Sequence, residues 1–158
     1  MATKKVSAMT AAAALGGTEK MHCVQSGGSV RTTAAAIANL SPLIIQMACS
    51  DLSTAITADT DVGFCRAPQA FTLTAVRAAL LGAAGSGTFT VDINKNGTTV
   101  LSTKLTIDAT EKTSVTAATA AVISVSSFAN DDIITVDIDD DASGDAIGLV
   151  ITLIGTPT

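Results

Sequence analysis

From about Leu43 onward, apolar residues recur at every second position in short runs, and clusters of turn-forming residues separate the runs. Side chains alternate across a strand with period two and wind around a helix with period 3.6, so a chain patterned this way can bury a strand face but not a helical stripe. FTLTAV at 71–76 sets Phe, Leu and Ala against Thr, Thr and Val. TFTVDI at 88–93 places Phe89, Val91 and Ile93 on one face, and LSTKLTI at 101–107 does the same with Leu101, Leu105 and Ile107. AVISV at 121–125, IITVDI at 133–138 and IGLVITLI at 147–154 continue the β-branched signature, and LIIQMAC at 43–49 adds one more run. GAAGSG at 82–87, NKNG at 94–97, DATEKTS at 108–114, FANDD at 128–132 and DDDASGD at 139–145 supply the turns. Roughly seven or eight strands with polar loops and no convincing helix predict an all-β domain over 43–158, an antiparallel sandwich or barrel.

Residues 1–42 read differently. They are rich in Ala and Gly and poor in bulky apolar groups, so they cannot form a core alone. The expectation is an extended N-terminal arm, either disordered or ordered against another chain. One short helix is predicted through TTAAAIANL at 32–40, with Thr at its start and Pro42 after its end.

Composition narrows the partners. Nine basic and 14 acidic residues give a mildly acidic chain without the clustered positive charge that nucleic-acid backbones attract. Trp and Tyr are absent and Phe occurs four times, which disfavours a lectin or a single-strand binder built on stacking faces. Cys23, Cys49 and Cys65 are odd in number and widely spaced, unlike a disulfide framework or a CxxC zinc site, and read as reduced, mostly buried thiols. Lys4 and Lys5 precede a small apolar run, but a signal peptide needs a more hydrophobic core than these alanines supply. No run reaches the ~18 unbroken apolar residues of a membrane span.

The stretch Asp92, Asn94, Asn96, Gly97 has the ligands and glycine that open an EF-hand loop. Position 12 of that pattern, the bidentate Glu, is Thr103 here, and the flanks alternate as strands. Asn96 and Gly97 instead suit the positive backbone angles of a tight hairpin. A second acidic group, Asp137, Asp139, Asp140, Asp141 and Asp145, can collect a calcium ion or bridge subunits, although its commoner fate is a solvated loop. His22 sits beside Cys23 in the arm, where no rigid scaffold holds a nucleophile and base in register. Arg66 and Arg77 read as surface charges, and Pro68 as a strand entry. No catalytic, cofactor-binding or metal-ligating residue is assigned, and no enzyme is expected.

The phrases RAP at 66–68, TVDINKNGT at 90–98, LSTKLTID at 101–108, DDIITVDID at 131–139 and the closing GLVITLIG at 148–155 together resemble a β-sandwich module of tailed-bacteriophage virion proteins, among them capsid decoration (cement) proteins, head fibres and tail fibres. The arm is similar to an N-terminal segment of phage fibre and tail proteins, with Gly17, Thr18 and Glu19, then Arg31 to Ala34; MHC at 21–23 departs from the usual smoother run. The resemblance implies a jelly-roll-like sandwich assembled as a homotrimer in the virion, built in the host cytoplasm, with the major capsid protein or tail components as partners and neither nucleic acid nor membrane. The expected role is a decoration protein that stabilises the head. At 158 residues little remains beside the sandwich for a fibre shaft, which favours that role over the alternative, a tail or head fibre or adaptor module that binds a host receptor. An exported pilus or surface-layer subunit would need the weak signal peptide to be real.

Overall fold

The computed structural model describes residues 20–25, 28–33, 37 and 41–158. Contacts divide the chain into two units, Met1–Ser41 and Pro42–Thr158. In the first, β1 (Lys20–Gln25) and β2 (Gly28–Thr33) form an antiparallel hairpin in register from Lys20↔Thr33 to Gln25↔Gly28. The extended arm expected from its composition thus carries a hairpin that the sequence reading did not specify. Thr32 and Thr33 of the expected helix belong to β2, and residues 34–36 and 38–40 lie outside the described residues.

The second unit holds β3 (Leu43–Ala48), β4 (Asp59–Arg66), β5 (Phe71–Ala79), β6 (Phe89–Lys95), β7 (Thr98–Thr99), β8 (Leu101–Thr103), β9 (Leu105–Ile107), β10 (Val122–Ile123), β11 (Ser127–Phe128), β12 (Ile133–Asp140) and β13 (Val150–Pro157). One sheet has the order β11-β5-β13-β3. The other has the order β4-β12-β6-β7, with β9 also paired to β6, and β8 pairs separately with β10. Every pairing is antiparallel. Early strands pair with late ones, β3 with β13, β4 with β12 and β5 with β11, while β6 turns back on β7 and β9. Two further ladders, β13 on β5 and β12 on β6, roll this folded ribbon into two layers. That order is a jelly roll.

Between the layers lie Phe71, Phe89, Phe128, Ile93, Leu105, Ile107, Ile134, Leu149, Ile151 and Leu153, all essentially inaccessible. Each such side chain contributes about 1.5–3 kcal/mol when taken out of water. Phe71 and Phe128 stack at 4.7 Å between ring centroids, where β11 meets β5. Along β12 the inward residues are Ile134, Val136 and Ile138, as its alternation predicts. At the β6–β7 turn Asn96 and Gly97 have φ of 50° and 79°, the paired positive angles of a tight hairpin, and Lys95 faces Thr98.

Other runs depart from their pattern. In FTLTAV the alternation slips: Ile154 faces Ala75 but Gly155 faces Leu73, so Thr74 is bulged and donates its Oγ1 to Ile154 O at 3.0 Å. Val76, expected outside, therefore faces Leu153 and packs against the core. LSTKLTI is split at Lys104, AVISV shrinks to Val122–Ile123, and the last strand begins at Val150 instead of Ile147. β4 went unread because its inward-facing residues are Gly63 and Cys65 and because a bulge sets three residues, 60–62, against Asp137 alone.

Gly155 and Gly63 are among the glycines held by close approach. A Cβ on Gly155 would meet Phe71 Cδ2 at 2.5 Å and Thr72 O at 2.8 Å, and one on Gly63 would meet Cys49 Sγ at 2.6 Å. Phe128→Ala is expected to destabilise the fold by about 3–5 kcal/mol in equilibrium denaturation, the cost of an emptied aromatic core site. Gly155→Ala is expected to lower the same midpoint although it adds only a methyl group; an unchanged midpoint would contradict the close packing of β13 on β5.

Candidate functional site

The outer face of the second sheet carries a polar network built on its two central strands. In the β12–β6 register Asp137 lies opposite Asp92, two carboxylates on one face, a repulsive arrangement unless each finds donors. Asp92, only 6% exposed, accepts from Thr99 Oγ1 at 2.6 Å and from the Ile93 amide at 2.8 Å. Its other oxygen lies 3.2 Å from Lys104 Nζ, which also reaches Asp139 at 2.6 Å. Asp137 accepts from Asn94 Nδ2 at 2.6 Å and from the Asp61 amide at 2.8 Å. The hydrogen bond that Lys104 donates to Asp139 is the first cause that raises the Lys104 pKa, with Asp92 adding to it. Lys104 interrupts LSTKLTI so that one ammonium serves two carboxylates from different strands.

The residues that suggested a calcium loop are thus tied into β-structure. Asn96 donates Nδ2 to Asp132 at 2.8 Å and accepts the Ile133 amide at the same distance, which anchors the hairpin tip to the start of β12. The second acidic group is divided: Asp137, Asp139 and Asp140 stand on β12, while Asp141 and Asp145 follow it. Asp140 accepts from the Ala142 amide and Asp141 from the Ala58 amide. Asp145 receives the Ser143 hydroxyl and the Gly85 amide, which in that order hold its pKa below the usual carboxylate range. Among the described residues no three His, Cys, Asp or Glu side chains converge as a metal group. Arg66 pairs with Asp131 at 2.9 Å, but with both side chains at least half exposed the pair is worth only about 0–1 kcal/mol.

Cys49 and Cys65 are free thiols. Burial pushes Cys49 up to about 11 and raises Cys65 too, so at neutral pH neither supplies a thiolate. The His22 and Cys23 side chains lie outside the described residues. The second unit has a hollow of about 240 Å³ beside Cys49, Asp51 and Thr54, a groove of about 450 Å³ between Thr74–Val76 and Ala120–Ile123, and a third concavity of about 270 Å³ beside Lys95, Asn96 and Val125. The first is rimmed by Asp51, whose carboxylate is held near 2 by the Thr54 and Ser53 amides and is committed to closing its own turn. The second is lined by small and aliphatic groups that supply no acid, base or nucleophile beyond hydroxyls.

The outer face of the first sheet has the opposite character. Its rows, read from the registers, are Ile44–Ile154–Ala75, Gln46–Thr152–Arg77 and Ala48–Val150–Ala79. Arg77 is the one charge in these rows, and Ile44 is 56% exposed. Sequence reasoning missed this face because nothing local indicates which strands lie side by side.

Asp92→Ala is expected to cost about 1–3 kcal/mol in denaturant unfolding, since it removes the charge-assisted bonds from Thr99 and the Ile93 amide and one of the two carboxylates that hold Lys104. Asp51, Asp132 and Asp145 titrate lower when folded than the ~3.9 of an unfolded Asp. Groups shifted this way contribute stability in full above the unfolded value and lose it as pH falls through the folded one. Their contribution should hold from neutrality to about pH 5 and decline as pH falls further, that of Asp51 being lost as pH passes through about 2, as read by melting temperature against pH. No family model, curated protein or solved structure matches this chain.

Proposed function

We propose that this chain is a structural protein of a tailed-bacteriophage virion, a decoration protein that sits on the head as a homotrimer and contacts the major capsid protein. The observation that carries the reading is the contrast between the two outer sheet faces. The second sheet meets its charges internally through Lys104, Asn94 and Thr99, whereas the first presents Ile44, Ile154 and Val150 among alanines and threonines with Arg77 as the single charge of its central rows. Such a face suits contact with other protein surfaces and offers no reaction chemistry. The phage-like phrases fall on the parts that give the sandwich its form: TVDINKNGT makes the β6–β7 hairpin, and DDIITVDID covers the turn before β12 and most of that strand. In this role the sandwiches associate in threes and the arms reach neighbours or the shell, joining subunits otherwise held by local contacts. The protein acts without catalysis.

Cryo-electron microscopy of purified particles tests the location. Density for the sandwich in threes over the capsid shell is expected. Density confined to the tail or to a single vertex would replace this reading with that of a fibre or adaptor. If subunits are held by aliphatic contacts, the melting temperature rises with protein concentration, and a concentration-independent transition would contradict a trimer.

A further inference from the structure

A sheet edge exposes a row of unpaired N–H and C=O groups, and proteins guard such edges with charges, bulges or very short strands. In the second unit, most edges carry these guards. β11 and β7 are two residues long and β9 three. β4 bears Asp59, Asp61 and Arg66, and its bulge includes Asp61 at φ 54°. β3 has none of these devices: LIIQMA is six residues long, uncharged, free of proline and in unbroken register with β13. The Cys49 amide donates to Leu149 O at 2.8 Å, and hydrogen-bonded positions recur every second residue on an antiparallel ladder. Leu43, Ile45 and Met47 therefore bond β13, and Ile44, Gln46 and Ala48 turn their N–H and C=O groups to the open side, where all three residues are exposed.

We propose that this edge accepts the β1–β2 hairpin of a neighbouring copy, one strand of which continues the first sheet by antiparallel addition. Each element has what the other lacks. A two-stranded hairpin is marginal by itself and gains from a third strand; an unguarded edge binds an extended segment through its main chain. β1, β2 and β3 are each six residues long. The charges are complementary: residues 1–41 contain Lys4, Lys5, Lys20 and Arg31 against Glu19 alone, while residues 42–158 hold five basic and thirteen acidic residues. Hairpin onto edge is a head-to-tail contact, and such contacts close into rings when the rotation permits. The proposal rests on the trimeric reading only in requiring that copies associate.

The test uses the full chain in three forms: wild type, Gln46→Pro and Val30→Pro. Gln46 turns its N–H away from β13, so proline there removes an edge donor and no ladder bond; Ile44→Lys serves as a second edge variant should Gln46→Pro fail to fold. Oligomeric mass is read by light scattering and amide exchange at Ile44, Gln46 and Ala48 by mass spectrometry or NMR. The expected result is an oligomeric wild type with these amides protected, and a single-chain mass with protection lost at Ile44 and Ala48 in the folded edge variant. Val30→Pro, which breaks the hairpin, should have the same effect. A monomeric wild type, fast exchange at the edge, or an edge variant with unchanged mass would overturn the proposal. Protection that survives Val30→Pro would overturn it too, by pointing to another strand such as β3 of a second copy. Loss of mass in the variants supports strand addition even if particles show the protein away from the shell, so the two readings fail separately.

Discussion

Both sheets depend on two strands that arrive late in the chain. β12 lies between β4 and β6, and β13 lies between β3 and β5, so the central ladders of each layer run through a strand synthesised after its partners. Pairings of this span require large loops to close before any ladder stabilises them, which makes formation slow and cooperative. The core shares this dependence. Ile134, Val136 and Ile138 from β12 and Ile151 and Leu153 from β13 fill the space between layers and face Phe89, Val91, Ile93 and Leu73 from the earlier strands. Without the late strands β3 and β4 lose their ladder partner, and β5 and β6 keep only the short β11, β7 and β9.

The same closure sets the electrostatics. Bringing β12 beside β6 places Asp137 opposite Asp92, and that repulsion is relieved only because Lys104, Asn94, Thr99 and the Asp61 amide converge on it from four other points of the chain. The polar residues of the second sheet are thereby occupied with one another. The first sheet has no such network: Arg77 is the one charge of its outer rows, and β3 is an edge without guards among the described residues. The difference in character between the two sheets follows from the roll.

Legibility varied with how local the deciding physics was. In IITVDI and TFTVDI the alternation is unbroken, and both strands lie where the sequence places them with the expected residues inside. In FTLTAV the alternation is equally clean, yet the bulge at Thr74 changes its phase, because the register is imposed by Gly155 and Ile154 across the sheet. DTDVGFCR lacks any apolar rhythm; its inward positions need a glycine against Cys49, a packing demand that no sequence period encodes. The hairpin of the arm was missed for another reason, since MHCVQ and SVRTT pair through their backbones and carry little of the hydrophobic signal that marks a core strand. For the site, Asp92 drew notice as a ligand in a local pattern, whereas its function in the fold depends on Lys104 and on a facing strand more than forty positions away.

The sequence alone determined the all-β class, the sites of strands with unbroken alternation such as β6 and β12, and the positive-φ hairpin at Asn96-Gly97, because side-chain alternation and positive φ are properties of neighbouring residues. Only the tertiary structure decided that the strands roll in jelly-roll order, that one ammonium is shared by Asp92 and Asp139, and that β3 is the edge left open. A half-buried strand carries the same period whichever strand lies beside it, so partner, register and edge are settled by long-range packing and by where the backbone can approach.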